Sequence, residues 1–386
     1  MFDQIYQGRR CLVTGHNGFK GSWLSLWLSE LGAEVHGISL PPERGPSLYE
    51  ILPDGTFASE TECDIRNFVE QRKAVDAIRP EMVFHLAAQP IVRLSYADPL
   101  GTLGSNVMGT PHVLEAIRDI GLDCTTLVIT SDKCYENQEW EFAYRENDPM
   151  GGHDVYSMSK GCSELVTQSW VKSFFLPNPA LGPVATARAG NVIGGGDYAA
   201  DRIVPDAVRA VAGGQPVLVR NPDAVRPWQH VLECLGGYLT LAAKLRQGGK
   251  ESPLASSFNF GPDPAARQPV RNLIGELLKT LGGEWTDGSA AKGPHEAKLL
   301  SLAIDKASGL LGWKPVWSFG QGAGATAEWY HFRHVRGADN KTMAEFTRSQ
   351  IRRYQNDAAQ RGALWASGFS DSDYSNRTAK EPPVPV

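Results

Sequence analysis

Short apolar runs alternate with stretches of helical apolar spacing along the first 190 residues. In residues 22–31, for example, the apolar side chains at 23, 24, 27, 28 and 31 form one helical stripe. Strands that alternate with helices indicate a parallel sheet covered on both faces, so the predicted fold class is α/β with a doubly wound parallel sheet. The predicted strands lie at 10–14, 34–40, 82–88, 127–129 and 184–188, and the predicted helices at 22–31, 111–120 and 160–175.

The pattern changes near residue 191, where the helices become shorter and prolines and arginines more frequent. A helix at about 231–246 and the run 258–261 are predicted to return to the first sheet, before another helix at 270–281. We therefore expect two domains, the second smaller, discontinuous and also α/β, and then an extension with a helix at 343–355 and a disordered end. The predicted parts are 1–190 plus about 230–262, about 191–229 plus 263–340, and about 341–386.

Three glycines follow the first predicted strand directly. Gly15, Gly18 and Gly21 occupy the turn between this strand and the first helix. In such a unit the first glycine permits the tight turn, the second lets a pyrophosphate approach the backbone, and the third packs helix on strand. The phosphates would lie at the helix N-terminus, so the turn predicts a Rossmann-type dinucleotide site. The other predicted cofactor contacts in this turn are Asn17, Phe19 and Lys20.

Small side chains end the strand predicted at 82–88, where they would let the backbone approach a cofactor. A tight helix–strand contact explains either alanine of this segment equally well. The predicted cofactor residues outside the glycine turn are Leu86, Ala87 and Ala88 of this segment, Asp64 and Ile65 at the end of a strand near the adenine, and Asn106 in the turn before helix 111–120.

The end of the second strand does not distinguish NAD from NADP. An NAD site usually has Asp or Glu there to hold the ribose 2′-hydroxyl, whereas this chain has Ser39 and Leu40. Arg44 lies just beyond, where it could bind a 2′-phosphate. From the local residues the choice stays open.

The candidate chemistry lies between residues 130 and 160. Ser131, Asp132 and Lys133 follow an apolar strand, and the carboxyl ends of strands face the ligand crevice of open α/β sheets. Tyr156 and Lys160 are four residues apart and share a helix face. An ammonium favours the ionised phenol, so this pair predicts a base that removes a hydroxyl proton as a hydride leaves. Helix capping by Asp132 and a solvated Lys133 are the structural alternatives.

Composition narrows the class of protein. The chain has 386 residues, 42% apolar and 21% charged, with a net charge of −5, which is ordinary for a globular protein and argues against nucleic acid as the main partner. Six cysteines without a CxxC pair favour a reducing, cytoplasmic compartment, and Cys134 is predicted to be a buried thiol. We expect no signal peptide, no membrane span and no metal site.

The motifs resemble those of the extended short-chain dehydrogenase/reductase family, in which the glycine turn is combined with Tyr156-x-x-x-Lys160. Within that family the chain is similar to the CDP-glucose 4,6-dehydratases over roughly residues 5–335. The pair Asp132-Lys133 departs from the Asp-Glu pair of the related dTDP-glucose dehydratases. The family is NAD-dependent, so the resemblance implies NAD. The similar runs are 15–24, 130–137, 146–152, 187–197, 226–233 and 294–297.

The resemblance implies a catalytic role for five residues. Tyr156 would deprotonate the sugar 4-hydroxyl, with Lys160 lowering its pKa and binding the nicotinamide ribose, and Ser131 would hydrogen-bond the same oxygen. Asp132 would protonate the departing C6 hydroxyl and Lys133 would remove the C5 proton. Asp132 would need a raised pKa and Lys133 a lowered one, and burial shifts the pKa of each group in that direction.

Asn191, Arg202 and Arg226 are candidates for the nucleotide diphosphate, because the arginine fork suits phosphate oxygens. Any one arginine is equally compatible with a surface ion pair. The other predicted substrate residues are Gln89, Arg93, Val204 and His295.

Three functions follow: a 4,6-dehydratase of CDP-glucose, a dehydratase or epimerase of another nucleotide sugar, and a nucleotide-binding protein without turnover. An epimerase needs no acid and base for water loss, so Asp132 and Lys133 weigh against it. The intact Ser131, Tyr156 and Lys160 weigh against a loss of turnover. We also expect a homodimer or homotetramer.

Overall fold

The computed structural model describes residues 1–42, 45–289 and 299–367. The strands are β1 (Arg10–Thr14), β2 (Glu34–Ser39), β3 (Ser59–Glu62), β4 (Met82–His85), β5 (Thr125–Ile129), β6 (Val184–Arg188), β7 (Val192–Ile193), β8 (Val217–Val219), β9 (Val225–Pro227), β10 (Gln229–His230), β11 (Ser257–Asn259), β12 (Arg267–Pro269) and β13 (Trp285–Asp287). The α-helices are α1 (Phe19–Glu30), α2 (Phe68–Ile78), α3 (Val92–Ala97), α4 (Pro99–Leu103), α5 (Gly109–Ile120), α6 (Val155–Trp170), α7 (Ile203–Ala212), α8 (Val231–Gly248), α9 (Val270–Leu281), α10 (Phe319–Tyr330) and α11 (Asn340–Gln360).

A seven-stranded parallel sheet, in the order β11-β6-β5-β4-β1-β2-β3, forms the centre of the chain. The predicted Rossmann-type α/β class is therefore confirmed. The strand order reverses direction between β1 and β4, and ligands bind at such a switch point in open α/β sheets. β5 pairs with β4 and β6 pairs with β5, all in parallel, so their carboxyl ends open onto the same edge of the sheet.

The alternation of side chains along the strands builds a core on each face of the sheet. On β1, Cys11 and Val13 pack into a cluster with α1 and α8, whereas Leu12 packs into a second cluster with α2 and α5. A fully buried residue such as Leu12 contributes about 1.5–3 kcal/mol relative to an exposed one. The two cores fix the position of the sheet edge at which the candidate residues lie.

Most predicted elements have the expected position, with shifted ends. The strands at 10–14 and 184–188 and the helix at 270–281 are confirmed with their predicted ends, and the helix expected at 160–175 begins at Val155 and continues beyond Trp170 as a π-helical turn. Asn106 was expected in a turn but lies in a π-helical turn, Gly104–Met108, that runs into α5. β11 joins the main sheet beside β6, as predicted for residues near 258.

Short strand pairs lie outside the main sheet between residues 191 and 287: β7 with β10, β8 with β13, and β9 with β12. The proposed division of the chain into two domains stays a prediction. The helix expected at 343–355 is longer, from Asn340 to Gln360.

The C-terminal helix α11 packs onto the main sheet's helical layer. Its Tyr354 ring contacts Trp27 of α1 at a centroid distance of 5.8 Å. The Tyr354 hydroxyl also donates to Glu233 at 2.9 Å, and this buried carboxylate accepts the backbone N–H groups of Val316 and Trp317. The predicted disordered end, beyond residue 367, lies outside the described residues. In the described part of the chain, no helix is long and apolar enough to cross a membrane.

Candidate active site

The glycine turn lies at the carboxyl end of β1, against the segment that follows β4. Gly15 has a φ of +72°, and a Cβ built on it would lie 2.8 Å from the backbone nitrogen of Ala87. A Cβ on Gly21 would lie 2.1 Å from the Gly15 carbonyl oxygen, so neither position accommodates a side chain. Gly18 is the N-cap of α1 and brings no side chain to its first amides. These amides are therefore available to an anion such as a pyrophosphate.

Hydrogen bonds hold the surroundings of this turn in place. The Ala87 N–H donates to the Thr14 hydroxyl at 3.2 Å, and the Asn17 amide donates to the Leu40 carbonyl at 2.8 Å. The turn is thus fixed to the ends of both neighbouring strands, β4 and β2. Asn17 reaches the end of β2 rather than extending into the crevice.

Asn106 and Gln89 mainly serve contacts within the protein. The Asn106 side chain accepts the Gln89 N–H at 2.8 Å and donates to the Gln89 carbonyl at 3.0 Å and to Ser159 at 2.9 Å. The Gln89 side chain donates to the Thr102 hydroxyl at 2.8 Å. Both side chains therefore fix the segment after β4 against α6, and their predicted ligand contacts stay predictions.

Asp64 and Ile65 are also engaged by the protein. The Asp64 carboxylate pairs with Arg66, whose guanidinium lowers the pKa of the carboxyl. Ile65 is buried, and a Cβ on Gly109 would lie 2.5 Å from its Cδ1 atom. Their predicted contact with an adenine is not tested by these contacts.

Ser131 and Asp132 form a compact hydrogen-bonded group after β5. Asp132 opens a 3₁₀ turn, Asp132–Cys134, and Ser131 caps it by accepting the Lys133 N–H at 3.3 Å. The Ser131 hydroxyl donates to Asp132 Oδ1 at 2.9 Å. The other carboxylate oxygen accepts the Asn191 amide at 3.2 Å.

Gly190 leaves room for the Asp132 carboxylate. A Cβ on Gly190 would lie 2.0 Å from the Asp132 Cγ atom, so any side chain there would displace the carboxylate. The next residue, Asn191, has a φ of +51°, a left-handed conformation that asparagine tolerates better than most residues. The Asn191 amide donates to Asp132, and its predicted contact with the nucleotide diphosphate stays a prediction.

Helix α6 brings Tyr156 and Lys160 to the same point. Its N-cap, Asp154, accepts the Ser157 N–H at 2.9 Å, and the Tyr156 N–H donates to Ser95 at 3.2 Å. Tyr156 and Lys160 are 8% and 6% exposed, so both lie on the buried face of the helix, as their spacing predicts. Tyr156 thereby lies near Ser131 and Asp132, both of which act on the pKa of its phenol.

Burial changes the acidity of both groups. It raises the pKa of Tyr156 to about 12, and the hydrogen bond from Ser131 and the charge of Arg202 act in the opposite direction. Burial, followed by the nearby Lys20 charge, lowers the pKa of Lys160 to about 8. The expectation that Lys160 lowers the pKa of Tyr156 is not met by this structure, because desolvation of the phenol is the largest effect. Both shifts favour neutral groups.

A buried ion pair joins helix α6 to strand β6. Arg188 of β6 donates to both oxygens of Glu164 on α6, at 2.9 and 2.8 Å, and both side chains are completely buried. Glu164 also accepts the hydroxyls of Thr130 and Thr186. Arg188 donates further to the Tyr135 hydroxyl at 2.6 Å. The pair therefore ties together α6, β5, β6 and the loop after Lys133.

The predicted Cys134 thiol is indeed buried, and burial raises its pKa well above the ordinary thiol value. A thiol in this state is a poor nucleophile. Cys134 is therefore a packing residue of the loop.

Two of the predicted arginines form ion pairs with aspartate side chains. Arg202 pairs with Asp197 at 2.8 Å, and its charge acts on Tyr156. Arg93 pairs with Asp201 at 3.1 Å, and Arg220 also faces Asp201 at 3.7 Å.

The remaining predicted substrate residues have different settings. Arg226 lies on β9 and donates to the Val225 carbonyl at 3.0 Å. Val204 is buried in the core at the start of α7. His295 and Arg44 lie outside the described residues.

Three features of the site were not predicted from the sequence. The Gln229 side chain donates to the carbonyls of Gly190 and Phe260, at 3.0 and 3.1 Å, and so holds the turn beneath Asp132. The ion pair of Glu164 with Arg188 joins a helix to a strand, and no local sequence pattern predicts such a contact. Glu62 of β3 is paired in register with Ser39, so an acid lies beside the end of β2 although none follows β2 in sequence.

Residues 12–250 match the GDP-mannose 4,6 dehydratase family. The chain belongs to this family. Among curated relatives it is 46% identical over 344 residues to the CDP-glucose 4,6-dehydratase of Salmonella typhimurium, covering 87% of this chain and 94% of the relative. The predicted resemblance is thus confirmed. A probable dTDP-glucose 4,6-dehydratase of Sinorhizobium fredii is 26% identical, over 83% of this chain and 92% of the relative.

Solved structures of this fold are similar over most of the chain. A dTDP-glucose 4,6-dehydratase from Streptomyces venezuelae with NAD and TYD bound has a TM-score of 0.71 and 23% identity, covering 85% of this chain and 98% of that one. An epimerase from Methanothermobacter thermautotrophicus has a TM-score of 0.72 and 22% identity, covering 87% and 97%. At these identities the likeness shows the fold, which epimerases and 4,6-dehydratases share.

The lowered pKa of Lys160 predicts how stability depends on pH. Between about pH 8 and the ordinary lysine value of 10.5, the unfolded chain holds a proton that the folded chain has released. Stability from this group therefore rises with pH across that window. We expect the unfolding free energy of the wild type, relative to Lys160→Met, to rise by roughly 2 kcal/mol from the bottom of the window to the top.

Urea unfolding of both proteins across the window measures this difference. Tyr156 is present in both proteins, so its own opposing shift largely cancels in the comparison. The exposed Lys172→Met, on the continuation of α6, is the matched control and should give a flat difference. A flat difference for Lys160→Met would show that the Lys160 pKa is not lowered.

Proposed function

We propose that this chain is a hydro-lyase that converts CDP-glucose into CDP-4-dehydro-6-deoxyglucose and water by internal hydride transfer through bound NAD. The observation that carries the proposal is that Tyr156, Ser131 and Asp132 are all buried, that Ser131 donates to Asp132 at 2.9 Å, and that both residues act on the pKa of Tyr156. Oxidation at C4 needs a base at the 4-hydroxyl, and loss of water from C6 needs an acid at the neighbouring exocyclic oxygen. The base of the nucleotide is inferred from the 46% identical CDP-glucose 4,6-dehydratase.

The residues at the glycine turn fit NAD. Gly15 and Gly21 leave a cradle that a Cβ would fill, and Gly18 leaves the amides of α1 to the pyrophosphate. Glu62, beside Ser39, is in position to act as the acid that selects a ribose 2′-hydroxyl over a 2′-phosphate. Bound NAD would accept a hydride from the sugar and later return it. Five of the similar solved structures contain NAD, which supports the choice.

We assign the first step to Tyr156 and Lys160. Tyr156, as phenolate, removes the 4-hydroxyl proton while the hydride leaves C4, and Ser131 donates a hydrogen bond to the same oxygen. Because burial raises the pKa of Tyr156 to about 12, the phenolate requires nearby positive charge, which Arg202 supplies. Lys160 lies four residues further along the buried face of α6, in position to bind the nicotinamide ribose.

The second step uses the two residues that follow Ser131. A ketone at C4 makes the C5 proton acidic, because the resulting enolate delocalises charge. Lys133 removes this proton while Asp132 protonates the departing C6 hydroxyl. Since both residues belong to one 3₁₀ turn, acid and base are held at a fixed separation along the sugar ring. With NAD bound, the hydride would return to C6, and Lys133 would return the proton to C5.

The arginines are proposed to bind the diphosphate. Arg202 and Arg93 are each paired with a carboxylate, Asp197 and Asp201, and their side chains are 33% and 38% exposed. Planar guanidinium groups held in this way suit phosphate oxygens. Arg226 is proposed as a third contact.

We infer that the enzyme works in the cytoplasm as a homodimer or homotetramer. All six cysteines are free thiols and five of them are buried, which suits a reducing compartment.

The assignment of substrate predicts a ranking of nucleotide sugars. Purified protein supplemented with NAD should convert CDP-glucose to a product lighter by one water, with kcat/KM at least about tenfold above that for dTDP-, UDP- or GDP-glucose, a ratio equal to about 1.4 kcal/mol. Mass spectrometry identifies the product. A higher kcat/KM for another nucleotide would overturn the choice of cytidine, and an epimerised sugar without loss of water would overturn the dehydratase reaction.

The role of Lys133 predicts a block after the first step. Lys133→Ala should lower the rate of product formation by about 10²–10⁴-fold, because a general base is lost. Oxidation at C4 should persist, so reduced nicotinamide should accumulate and be visible by its near-ultraviolet absorbance. The exposed Lys172→Ala is the control and should turn over as the wild type does. Product formation by Lys133→Ala at the wild-type rate would exclude Lys133 as the base.

A further inference from the structure

Two arginines from distant parts of the chain converge on one aspartate. Arg93 of α3 contacts Oδ1 of Asp201 at 3.1 Å, and Arg220, which directly follows β8, approaches the same oxygen at 3.7 Å. The three side chains are between 34% and 38% exposed, so a ligand from solvent can reach all of them. Asp201 therefore neutralises guanidinium groups that an incoming anion would also contact.

Both sides of this cluster adjoin the candidate active site. On α3, Ser95 follows Arg93 by two residues and accepts the backbone N–H of Tyr156 at 3.2 Å. Asp201 directly precedes Arg202, the N-cap of α7, and no side chain caps the first amides of this ten-residue helix. These amides favour an anion at the same place. The two arginines therefore lie beside the proposed diphosphate site.

The neighbouring ion pair, Arg202 with Asp197, is built differently. Arg202 donates to Asp197 at 2.8 Å, and the other carboxylate oxygen accepts the Ala199 N–H at 3.1 Å. The Asp197 side chain is only 6% exposed, so the protein holds this carboxylate firmly. Asp201 is exposed and its contacts are longer, and exposed ion pairs contribute little to stability. Asp201 can therefore be exchanged for another anion, whereas Asp197 stays in place.

The charges of this cluster match a diphosphate only when Asp201 has left. Arg93, Arg202 and Arg220 are positive and Asp197 is negative, so these four groups carry a net charge of +2. The diphosphate diester of a nucleotide sugar carries two negative charges, which is the equal and opposite value. With Asp201 in place the net charge is +1, and its carboxylate would repel the phosphate oxygens. Binding of a diphosphate therefore favours displacement of Asp201.

We propose that Asp201 is an internal counter-anion, which holds Arg93 and Arg220 together in the unliganded protein and is displaced by the diphosphate of the nucleotide sugar. Arg220 then becomes a further diphosphate ligand beside Arg93 and Arg202. This inference rests on the function proposed above, because it takes its ligand from there. The exchange makes and breaks ion pairs only, and no covalent bond changes.

The backbone at Asp201 determines which variants are informative. Its φ is +61°, in the left-handed region, which aspartate and asparagine adopt more readily than most residues. Asparagine therefore removes the charge while it keeps the size of the side chain and the backbone conformation. Glycine also tolerates this conformation and removes the side chain altogether. Asp201→Asn and Asp201→Gly together separate the effect of the carboxylate from the effect of a changed backbone.

Titration calorimetry with CDP measures the exchange directly. We expect Asp201→Asn and Asp201→Gly to bind CDP about fivefold more tightly than the wild type, the size of one exposed ion pair. Asp206→Asn is the matched control, because Asp206 lies in the first turn of α7, is 39% exposed and pairs with Arg209. It removes the same charge from the same helix end and should change the affinity by less than about twofold. An unchanged or lower affinity of both Asp201 variants, or an equal gain in the control, would overturn the proposal.

A ligand with one phosphate separates competition for the arginines from a general change of the site. The gain in affinity of Asp201→Asn over the wild type should be larger for CDP than for CMP, because the second phosphate competes with the carboxylate for the two guanidinium groups. Both affinities are measured at the same ionic strength, since salt screens exposed charges. Equal gains for CDP and CMP would contradict displacement of Asp201 by the diphosphate.

Arg220→Gln tests the further ligand. We expect it to lower the affinity for CDP by about tenfold, because a charge-assisted hydrogen bond to the diphosphate is lost. Arg209→Gln, which removes an exposed arginine of α7, is the control and should change the affinity by less than about twofold. The gain from Asp201→Asn should shrink in the Arg220→Gln background, where Asp201 holds one arginine instead of two. A wild-type affinity of Arg220→Gln would overturn its assignment as a ligand.

Failure of the proposed function and failure of this inference give different results, because binding is measured without turnover. A wild type that binds UDP, GDP or dTDP more tightly than CDP overturns the choice of cytidine, and the same variants are then compared with that nucleotide. A gain from Asp201→Asn in a protein that forms no dehydrated sugar would overturn the function and support the inference. A wild type that binds none of the four nucleotides overturns both.

Discussion

The buried ion pair of Glu164 and Arg188 is the interaction on which the catalytic geometry depends. Both side chains are completely excluded from water, so each charge is stabilised by the other and by hydroxyl and carbonyl groups around it. Loss of either partner from such a pair typically costs about 3–5 kcal/mol, because the remaining charge stays buried without compensation. Glu164 lies one helical turn after Lys160, and Arg188 lies two residues before Gly190. The pair therefore sets the distance between the helix that carries the base and the turn that accommodates Asp132.

The interior of this site is buried, whereas the polar side chains at its entrance are partly exposed. Burial raises the pKa of Tyr156 and lowers the pKa of Lys160, so it favours the neutral form of each group. Proton transfer in such a site requires that the ligands bring charge with them. Arg202 lies at the boundary between the two regions, since its charge acts on Tyr156 while its side chain remains one third exposed. In this account a bound diphosphate and the ionisation of Tyr156 compete for the same positive charge, which links substrate binding to the first chemical step.

The features that were predicted correctly from the sequence are those that neighbouring residues determine. The glycine turn, the strand at 184–188 and the helical spacing of Tyr156 and Lys160 follow from backbone conformation and apolar periodicity, and the structure has them as expected. The contacts that join distant segments were not predictable in this way. The hydrogen bond of the Asn191 amide to Asp132, which is 59 residues away in sequence, is one such contact, and the predicted binding of phosphate by Asn191 stays a prediction. The acidity of Tyr156 was also misjudged, because the sequence shows the nearby lysine but not the depth of burial.

The central claim is that one closed site removes a hydride from C4 and returns it to C6 of the same sugar. CDP-glucose carrying deuterium at C4 tests it most directly, with the product analysed by mass spectrometry and proton NMR after conversion in ordinary water. The account predicts that deuterium is retained and found at C6. A product without deuterium at C6, or with the label lost to solvent, would contradict it.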